Sequence, residues 1–379
     1  NVVVNSLTLR NLRNHVSSDC EFCDGTNVIF GPNGAGKTTI LEALSLCSLT
    51  KTFLPTSDAE MVTRGASSYI AECSAVTDAG SPYTVRVTAG TTTRKSISSS
   101  YGKNLKPKDI IGVIPMVILS PDDKSITFGA PADRRVFIDR LLSQCSQRYL
   151  EELMQLRRIL KQRNALLAAR AGFFDRSQFE VWTSKLIQCG AEITIRRRNF
   201  LRDFSPYFLE AYRTLSLGTE DVEISYLPDL TLGSDEFLHA TKEDLERAYA
   251  LQAERMDTDE LRRQVTLWGP QKDDVDIRIN GGRAREHASQ GQHKSLLICL
   301  KNAEFEYLRS VRNETPLLLL DDIFSELDEM RTSRVFETVI AAARQCFITT
   351  TEQERIRNSA VDSRALRTFF VRSGTIECI

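Results

Sequence analysis

Residues Gly31-Pro32-Asn33-Gly34-Ala35-Gly36-Lys37-Thr38 spell G-x-x-x-x-G-K-[ST], and this string constrains the fold more than any other in the chain. It works only where a buried strand delivers the chain into a glycine-rich turn and a helix leaves it. Both flanks comply. Asn27-Val28-Ile29-Phe30 reads as a buried strand and Thr39-Ile40-Leu41-Glu42-Ala43-Leu44 as a helix. The glycines let backbone N–H groups converge on phosphate oxygens, and the helix N-terminus adds its positive end. Lys37 is expected to reach the β- and γ-phosphates of a nucleotide, and the Thr38 hydroxyl to ligate Mg²⁺. Gly31 through Thr38, together with Thr39, are therefore the candidate nucleotide-binding residues.

A second motif adds hydrolysis. Leu317-Leu318-Leu319-Leu320-Asp321-Asp322 is an aliphatic run bounded by Pro316 and ending in two carboxylates, the pattern of a buried central strand. Charge is costly inside a protein, so two adjacent Asp at a strand end need a reason. Asp321 is expected to complete the Mg²⁺ shell with Thr38. Asp322 is the candidate catalytic residue, orienting or deprotonating the attacking water, unless it merely caps the next turn.

Between these motifs lies Ser289-Gln290-Gly291-Gln292, followed by the helical run Leu296-Leu297-Ile298-Cys299-Leu300. A serine, a glycine and two amides at a helix start make an anion site. In this position the string resembles the signature motif of ABC-type ATPases, and Phe324-Ser325-Glu326-Leu327-Asp328 resembles their D-loop, with Ser325 and Asp328 its polar members. The resemblance implies ATP sandwiched between the phosphate loop of one protomer and the signature motif of another, hence an ATP-dependent homodimer. The expected fold is α/β: an ABC-type phosphate-loop ATPase head with a mixed β-sheet, carrying an inserted, mainly helical lobe.

Longer strings resemble the RecF family of bacterial recombination mediators along nearly the whole chain. Leu7 to Asn14 is similar to its opening L-x-L-x-N-F-R-N, with Leu12 in place of the aromatic, and the match adds Arg13 to the candidate nucleotide-binding residues. Ile118-Leu119-Ser120-Pro121-Asp122-Asp123 resembles F-S-P-E-D. Arg134-Arg135-Val136-Phe137-Ile138-Asp139 resembles R-R-x-F-L-D. Leu160-Lys161-Gln162-Arg163-Asn164-Ala165-Leu166-Leu167 matches L-K-Q-R-N-x-L-L. Gly269-Pro270-Gln271-Lys272-Asp273-Asp274 resembles G-P-H-R-D-D, with Gln271 and Lys272 replacing His and Arg. The resemblance implies ATP and Mg²⁺ as cofactors, binding at single-strand/duplex junctions of gapped DNA, and cooperation with RecR and RecO in loading RecA. A subunit coupled to another protein, without DNA binding, is the alternative. No Gln is evident where transporters carry their Q-loop, and no His follows the strand Phe347-Ile348-Thr349-Thr350-Thr351. Thr349 or Thr350 is the available substitute, and slow hydrolysis used as a switch is expected rather than rapid turnover.

Net charge is −1, but its distribution is uneven. Residues 133–213 hold 16 basic and 9 acidic side chains, 214–264 hold 5 and 13, and 86–108 hold six basic and no acidic ones. Such segregation predicts a focused positive surface. The DNA-binding candidates are Arg157, Arg158, Lys161 and Arg163, on a helix whose apolar side is Leu153, Leu156, Leu160 and Leu167, and the cluster Arg196, Arg197 and Arg198. The acidic stretch 232–260 reads as an exposed helix, with a partner surface as the alternative. Within it Thr241-Lys242-Glu243-Asp244 fits a guanine-reading pattern but is better read as a helix capping box, so adenine is expected.

The head is expected over 1–132 and 264–379, with the lobe over 133–263. Strands are predicted at 69–76 and 83–88, and connections at 172–175 and 226–229. With 41% hydrophobic residues the chain can bury a sizeable core. Nine scattered Cys suit reduced thiols, and the Cys20/Cys23 pair has no second pair to complete a zinc site. No run of about eighteen uncharged apolar residues occurs and no charged-then-apolar leader is read ahead of the first strand. A cytoplasmic, nucleoid-associated location is expected.

Overall fold

The computed structural model describes residues 2–169, 174–322, 337–351 and 365–379. The chain divides into two compact units, one made of Asn1–Lys124 with Gln290–Ile379 and the other of Ser125–Ser289. In chain order the first unit contributes β1 (Val2–Leu12), β2 (His15–Glu21), β3 (Thr26–Phe30), α1 (Lys37–Leu49), β4 (Ser68–Thr77), β5 (Pro82–Gly90), β6 (Ser96–Ser99) and β7 (Met116–Leu119). The second contributes α2 (Ser125–Phe128), α3 (Pro131–Cys145), α4 (Gln147–Leu167), α5 (Arg176–Ser216), β8 (Val222–Leu227), α6 (Ser234–His239), α7 (Lys242–Arg263), β9 (Asp274–Ile279), β10 (Gly282–Arg283) and α8 (Ala284–His287). The chain then returns to the first unit with α9 (Gln290–Arg312), β11 (Leu317–Asp321), β12 (Cys346–Thr350), β13 (Leu366–Arg372) and β14 (Thr375–Cys378).

The first unit holds two sheets. One is antiparallel, in the order β2-β1-β4-β5-β6, and its strands alternate buried and exposed residues because one face is solvated. The other is mixed, in the order β14-β13-β3-β12-β11-β7. Its central strands β3, β12 and β11 are parallel and apolar, so both faces are covered. Helix α1 packs against strands of both sheets, and twelve of its thirteen residues are buried. The predicted strands at 27–30, 69–76, 83–88 and 317–321 are β3, β4, β5 and β11.

The second unit is mainly helical but has its own antiparallel sheet, β10-β9-β8. Tyr226 and Leu227, expected in a connection, end β8, because Val-Glu-Ile-Ser-Tyr-Leu alternates in and out and Tyr226 is buried. Residues 264–289 join this unit because β9 pairs with β8. Of the connection at 172–175, residues 172 and 173 lie outside the described residues, and Asp175 caps α5 by accepting the Gln178 N–H at 3.0 Å. The capping box at Thr241 is present, with the Thr241 hydroxyl accepting the Asp244 N–H.

Two of the strings that carried the family resemblance meet in this unit. Arg134 grips Asp274 at 2.7 and 3.1 Å, and Arg135 donates to the Asp273 carbonyl at 2.6 Å. Buried Arg197 joins Asp139 to the Pro270 carbonyl, and Tyr226 donates to Asp273. These polar strings therefore form one internal ion network, far from each other in sequence but adjacent in space.

A second buried pair gives a stability test. Arg163 and Glu260 are 1% and 0% exposed and bond bidentately at 2.8 and 2.6 Å. The Arg163 guanidinium also lies over the rings of Phe179 and Trp268 at 4.3 and 5.2 Å. Glu260→Ala leaves the guanidinium buried without its counter-charge and is expected to cost about 3–5 kcal/mol in urea unfolding of the full chain, whereas Arg163→Met with Glu260→Leu costs much less.

Candidate nucleotide site

Parallel register brings the carboxyl ends of β3, β12 and β11 to one edge of the sheet: Thr350 lies opposite Phe30, and Asp321 opposite Thr349. In open α/β sheets this edge is where ligands bind. The loop 31–36 leaves β3 there and turns into α1. Pro32, Asn33 and Gly34 are exposed, while Ala35, Lys37 and Thr39 are buried. Gly36 takes a left-handed φ of 106°, and a Cβ there would lie 2.5 Å from both Asn14 Oδ1 and His15 Nε2. Only glycine meets both demands.

Lys37 Nζ donates to the Gly31 and Pro32 carbonyls, each at 2.8 Å, so the side chain folds back over the loop that precedes it. Burial lowers its pKa, opposed by the carboxylates of Asp322 and Asp321. Thr38 Oγ donates to Asp321 Oδ1 at 2.8 Å, and Thr349 Oγ donates to the same oxygen at 2.6 Å. Burial, and secondarily the charges of Asp322 and Glu42, push the Asp321 carboxyl above its usual range, while the two hydroxyls pull it down. A carboxylate held in that tension is stabilised by an added cation. A hydroxyl and a carboxylate at hydrogen-bond distance are hard oxygen donors of the kind Mg²⁺ takes, so Thr38 and Asp321 fit the metal role.

Asp322 follows in the left-handed region with φ 46°, which Asp tolerates, and its N–H donates to Thr349 Oγ at 2.9 Å. Thr349, one of the two threonines expected as a substitute for the absent His, therefore ties both carboxylate residues to the end of β12. Ser289 is exposed and immediately precedes α9, a 23-residue helix whose first turn carries Gln290, Gly291 and Gln292. The helix N-terminus adds its dipole to that string. Ser325 and Asp328 lie outside the described residues.

Arg13 spends its Nε and Nη2 on Glu42 of α1 at 2.9 and 2.7 Å, and also donates to Thr56 Oγ1. Two DNA-binding expectations are corrected. Arg163 and Arg197 are each 1% exposed, and their donors are consumed by Glu260 and by Asp139 with the Pro270 carbonyl, so neither is available to a phosphate backbone. Helical spacing carried the warning. Arg163 falls seven residues after Leu156 on the apolar stripe, and Arg197 falls four after buried Ile193. Arg198 donates to the Phe237 and Ala240 carbonyls, and Arg196 is paired with Glu152 and Glu192. Arg157, Arg158 and Lys161 are exposed on α4, with Leu153, Leu156 and Leu167 buried on its other side.

A mixed sheet with a phosphate loop at its carboxyl edge, an acidic strand end beside it, and a second unit inserted in the chain before α9 defines an ABC-type ATPase head. The family model described as the RecF/RecN/SMC N terminal domain matches residues 3–377. The chain is 38% identical over 351 residues to the DNA replication and repair protein RecF of Chloroherpeton thalassium, covering 92% of this chain and 94% of that protein. It is 35% identical over 377 residues to RecF of Symbiobacterium thermophilum, covering 98% and 97%. Among solved structures, the recombination mediator protein RecF-ATP in the RecFOR pathway superimposes with a TM-score of 0.89 at 26% identity, covering 100% of this chain and 98% of that one. An Smc head bound to the C-winged helix domain of ScpA shares the fold, with a TM-score of 0.55 at 14% identity. The chain belongs to the RecF/RecN/SMC family, and the relatives it matches there are RecF proteins. Among the described residues no helix is long and apolar enough to cross a membrane.

Proposed function

We propose that this chain is an ATP-driven DNA-binding protein of recombinational repair, acting in the cytoplasm at the nucleoid. ATP with Mg²⁺ joins two copies across composite sites. The closed dimer holds single-strand/duplex junctions of gapped DNA and works with RecO and RecR to load RecA. Slow hydrolysis releases it. The observation that carries the reading is the 2.8 Å bond between Thr38 of the phosphate loop and Asp321 of the acidic strand, in a chain 38% identical to a RecF protein. When bound, Mg²⁺ supplies charge neutralisation at the phosphates. Thr38 and Asp321 are the residues that hold it. Lys37 contacts the outer phosphates, Asp322 orients water or takes its proton, Thr349 fixes both carboxylates, and Ser289 with Gln290, Gly291 and Gln292 engages the nucleotide of the second copy.

The exposed row Arg157, Arg158 and Lys161 is the DNA contact best supported by accessibility. The rival reading is an ABC-type subunit that binds ATP and another protein but no DNA. One experiment separates them: sedimentation with a slowly hydrolysed ATP analogue, paired with gapped-DNA titrations at two salt concentrations. Ser289→Arg is expected to bind ATP as a monomer, fail to dimerise and lose ATP-stimulated DNA binding. Replacing Arg157, Arg158 and Lys161 by Gln is expected to leave ATP affinity unchanged and to lower the slope of log K against log salt by up to about 3 for three phosphate contacts. No DNA binding by the native protein at low salt would establish the rival, and a Ser289→Arg protein that dimerises and binds DNA normally would overturn the composite site.

A further inference from the structure

Beneath the phosphate loop lies a polar chain that the reading above does not use. His15, the first residue of β2, is fully buried, and Ser18 is 6% exposed. His15 Nε2 lies 2.9 Å from the Gly36 carbonyl oxygen, and Nδ1 lies 2.9 Å from Ser18 Oγ. Ser18 Oγ donates to the carbonyl of Gly374, in the turn between β13 and β14, at 3.0 Å. Asn14 Nδ2 donates to the Ala35 carbonyl at 2.9 Å and the Gly34 carbonyl at 3.3 Å, and the Gly374 N–H also reaches the Ala35 carbonyl at 3.0 Å. Gly374 takes a φ of 76°, and a Cβ there would collide with the Asn14 carbonyl oxygen, so this approach too requires glycine.

The three carbonyls of Gly34, Ala35 and Gly36 are thus all held from the same side. In a trans peptide unit the carbonyl and the following N–H point in opposite directions. Fixing the Ala35 and Gly36 carbonyls against Asn14, Gly374 and His15 therefore directs the Gly36 and Lys37 N–H groups away from them, as an anion-binding nest needs.

Proton counting then sets the charge of the ring. Carbonyl oxygens only accept, so the Nε2 contact with Gly36 requires Nε2–H. The single Ser18 hydroxyl proton goes to the Gly374 carbonyl, so the Nδ1 contact requires Nδ1–H as well. All three bonds exist together only when His15 is the imidazolium. The neutral ring surrenders one of them: either the Ser18 hydroxyl turns to Nδ1 and leaves the Gly374 carbonyl, or two lone pairs face each other. Burial holds the His15 pKa below its usual value, opposed by the nearby backbone carbonyls of Gly36 and Gly374. The charged groups on the surrounding elements are committed elsewhere. Asp19 of β2 pairs with Arg10, Arg13 pairs with Glu42, Lys37 donates to Gly31 and Pro32, and Arg372 and Glu377 of β13 and β14 are exposed. Among the described residues no ionised side chain bonds to the ring.

We propose that His15 is a positioning residue of the phosphate loop that takes up a proton when the loop binds a polyphosphate, so that nucleotide affinity rises as pH falls. This rests on the phosphate-loop reading above. The sign follows from linkage: an anion on the far side of the Gly36 peptide favours the imidazolium, and a ligand that favours the protonated form binds that form more tightly. A shift of one unit in the His15 pKa on binding corresponds to a tenfold change in affinity between pH values well below and well above it.

The test is equilibrium binding of an ATP analogue to the full chain, native and His15→Gln, from about pH 5 to about pH 8, a range extended to the acid side because burial holds the His15 pKa below its usual value. Titration of the analogue's own phosphates is common to both proteins and cancels in their ratio. The native protein is expected to bind about tenfold better, relative to the variant, at the acid end than at the alkaline end. Calorimetry of the native protein in two buffers of different ionisation enthalpy is expected to register proton uptake on binding. This second readout stands even where the variant fails to fold. A native-to-variant ratio that is flat with pH, or binding without proton uptake near neutral pH, overturns the inference alone. Absence of nucleotide binding at every pH overturns the phosphate-loop reading and the inference with it.

Discussion

Lys37→Ala is expected to bind ATP at least about 100-fold more weakly than the native chain, corresponding to ~3 kcal/mol for a lost charge-assisted contact to phosphate. Two losses combine in this variant. The ammonium directed at the outer phosphates disappears, and so do the donations from Nζ to the Gly31 and Pro32 carbonyls that hold the loop's first turn. Lys37→Met restores the bulk of the buried stem without the charge and is expected to bind as poorly as Lys37→Ala. Fluorescence titration with a labelled nucleotide measures the change, and circular dichroism checks that the fold is retained. Native affinity in Lys37→Met would remove the phosphate-loop assignment.

Asp322→Asn is expected to bind ATP and Mg²⁺ normally and to hydrolyse ATP about 10²–10⁴-fold more slowly, the span over which a positioned general base acts. An amide orients a water but cannot take its proton. The main-chain bond from the Asp322 N–H to Thr349 Oγ survives the substitution, so the left-handed turn after β11 is kept. Asn also tolerates that conformation. Asp321→Asn is expected to behave differently and to weaken Mg²⁺-dependent binding itself, because Asp321 Oδ1 is the oxygen shared by Thr38 and Thr349. Single-turnover hydrolysis separates the two variants, since a slow chemical step leaves binding intact and a damaged metal site does not. Turnover of Asp322→Asn at the native rate would make Asp322 a purely structural residue.

The positions of the glycine-rich string and of the acidic strand end within their elements were legible in the chain. A glycine-rich string between an apolar strand and a helix has one working conformation, so β3, the loop and α1 followed from residues 27–44. Four leucines before Asp321 are tolerated only in a strand covered on both faces, and β11 is that strand. The roles of the arginines were less legible. Charge alone marks Arg157 and Arg163 alike, and helical phase separates them only once the neighbouring element is known: Glu260, which receives Arg163, lies 97 residues further along the chain. The same holds for Arg197, whose partners are Asp139 and the Pro270 carbonyl.

What the sequence by itself determined is local and chemical: a phosphate loop, an acidic strand end, a helix start able to face an anion, and enough family-specific strings to identify RecF-like relatives. These depend on contacts within a few residues and on the backbone freedom of particular glycines. Only the tertiary structure decided which distant groups share one site. Parallel pairing of β12 with β11 is what carries Thr349 to Asp321, and the β13–β14 turn is what carries the Gly374 carbonyl to Ser18 and its N–H to the Ala35 carbonyl. Such contacts join residues up to 356 positions apart, and they arise from strand order and register, which no local spacing in a single chain encodes.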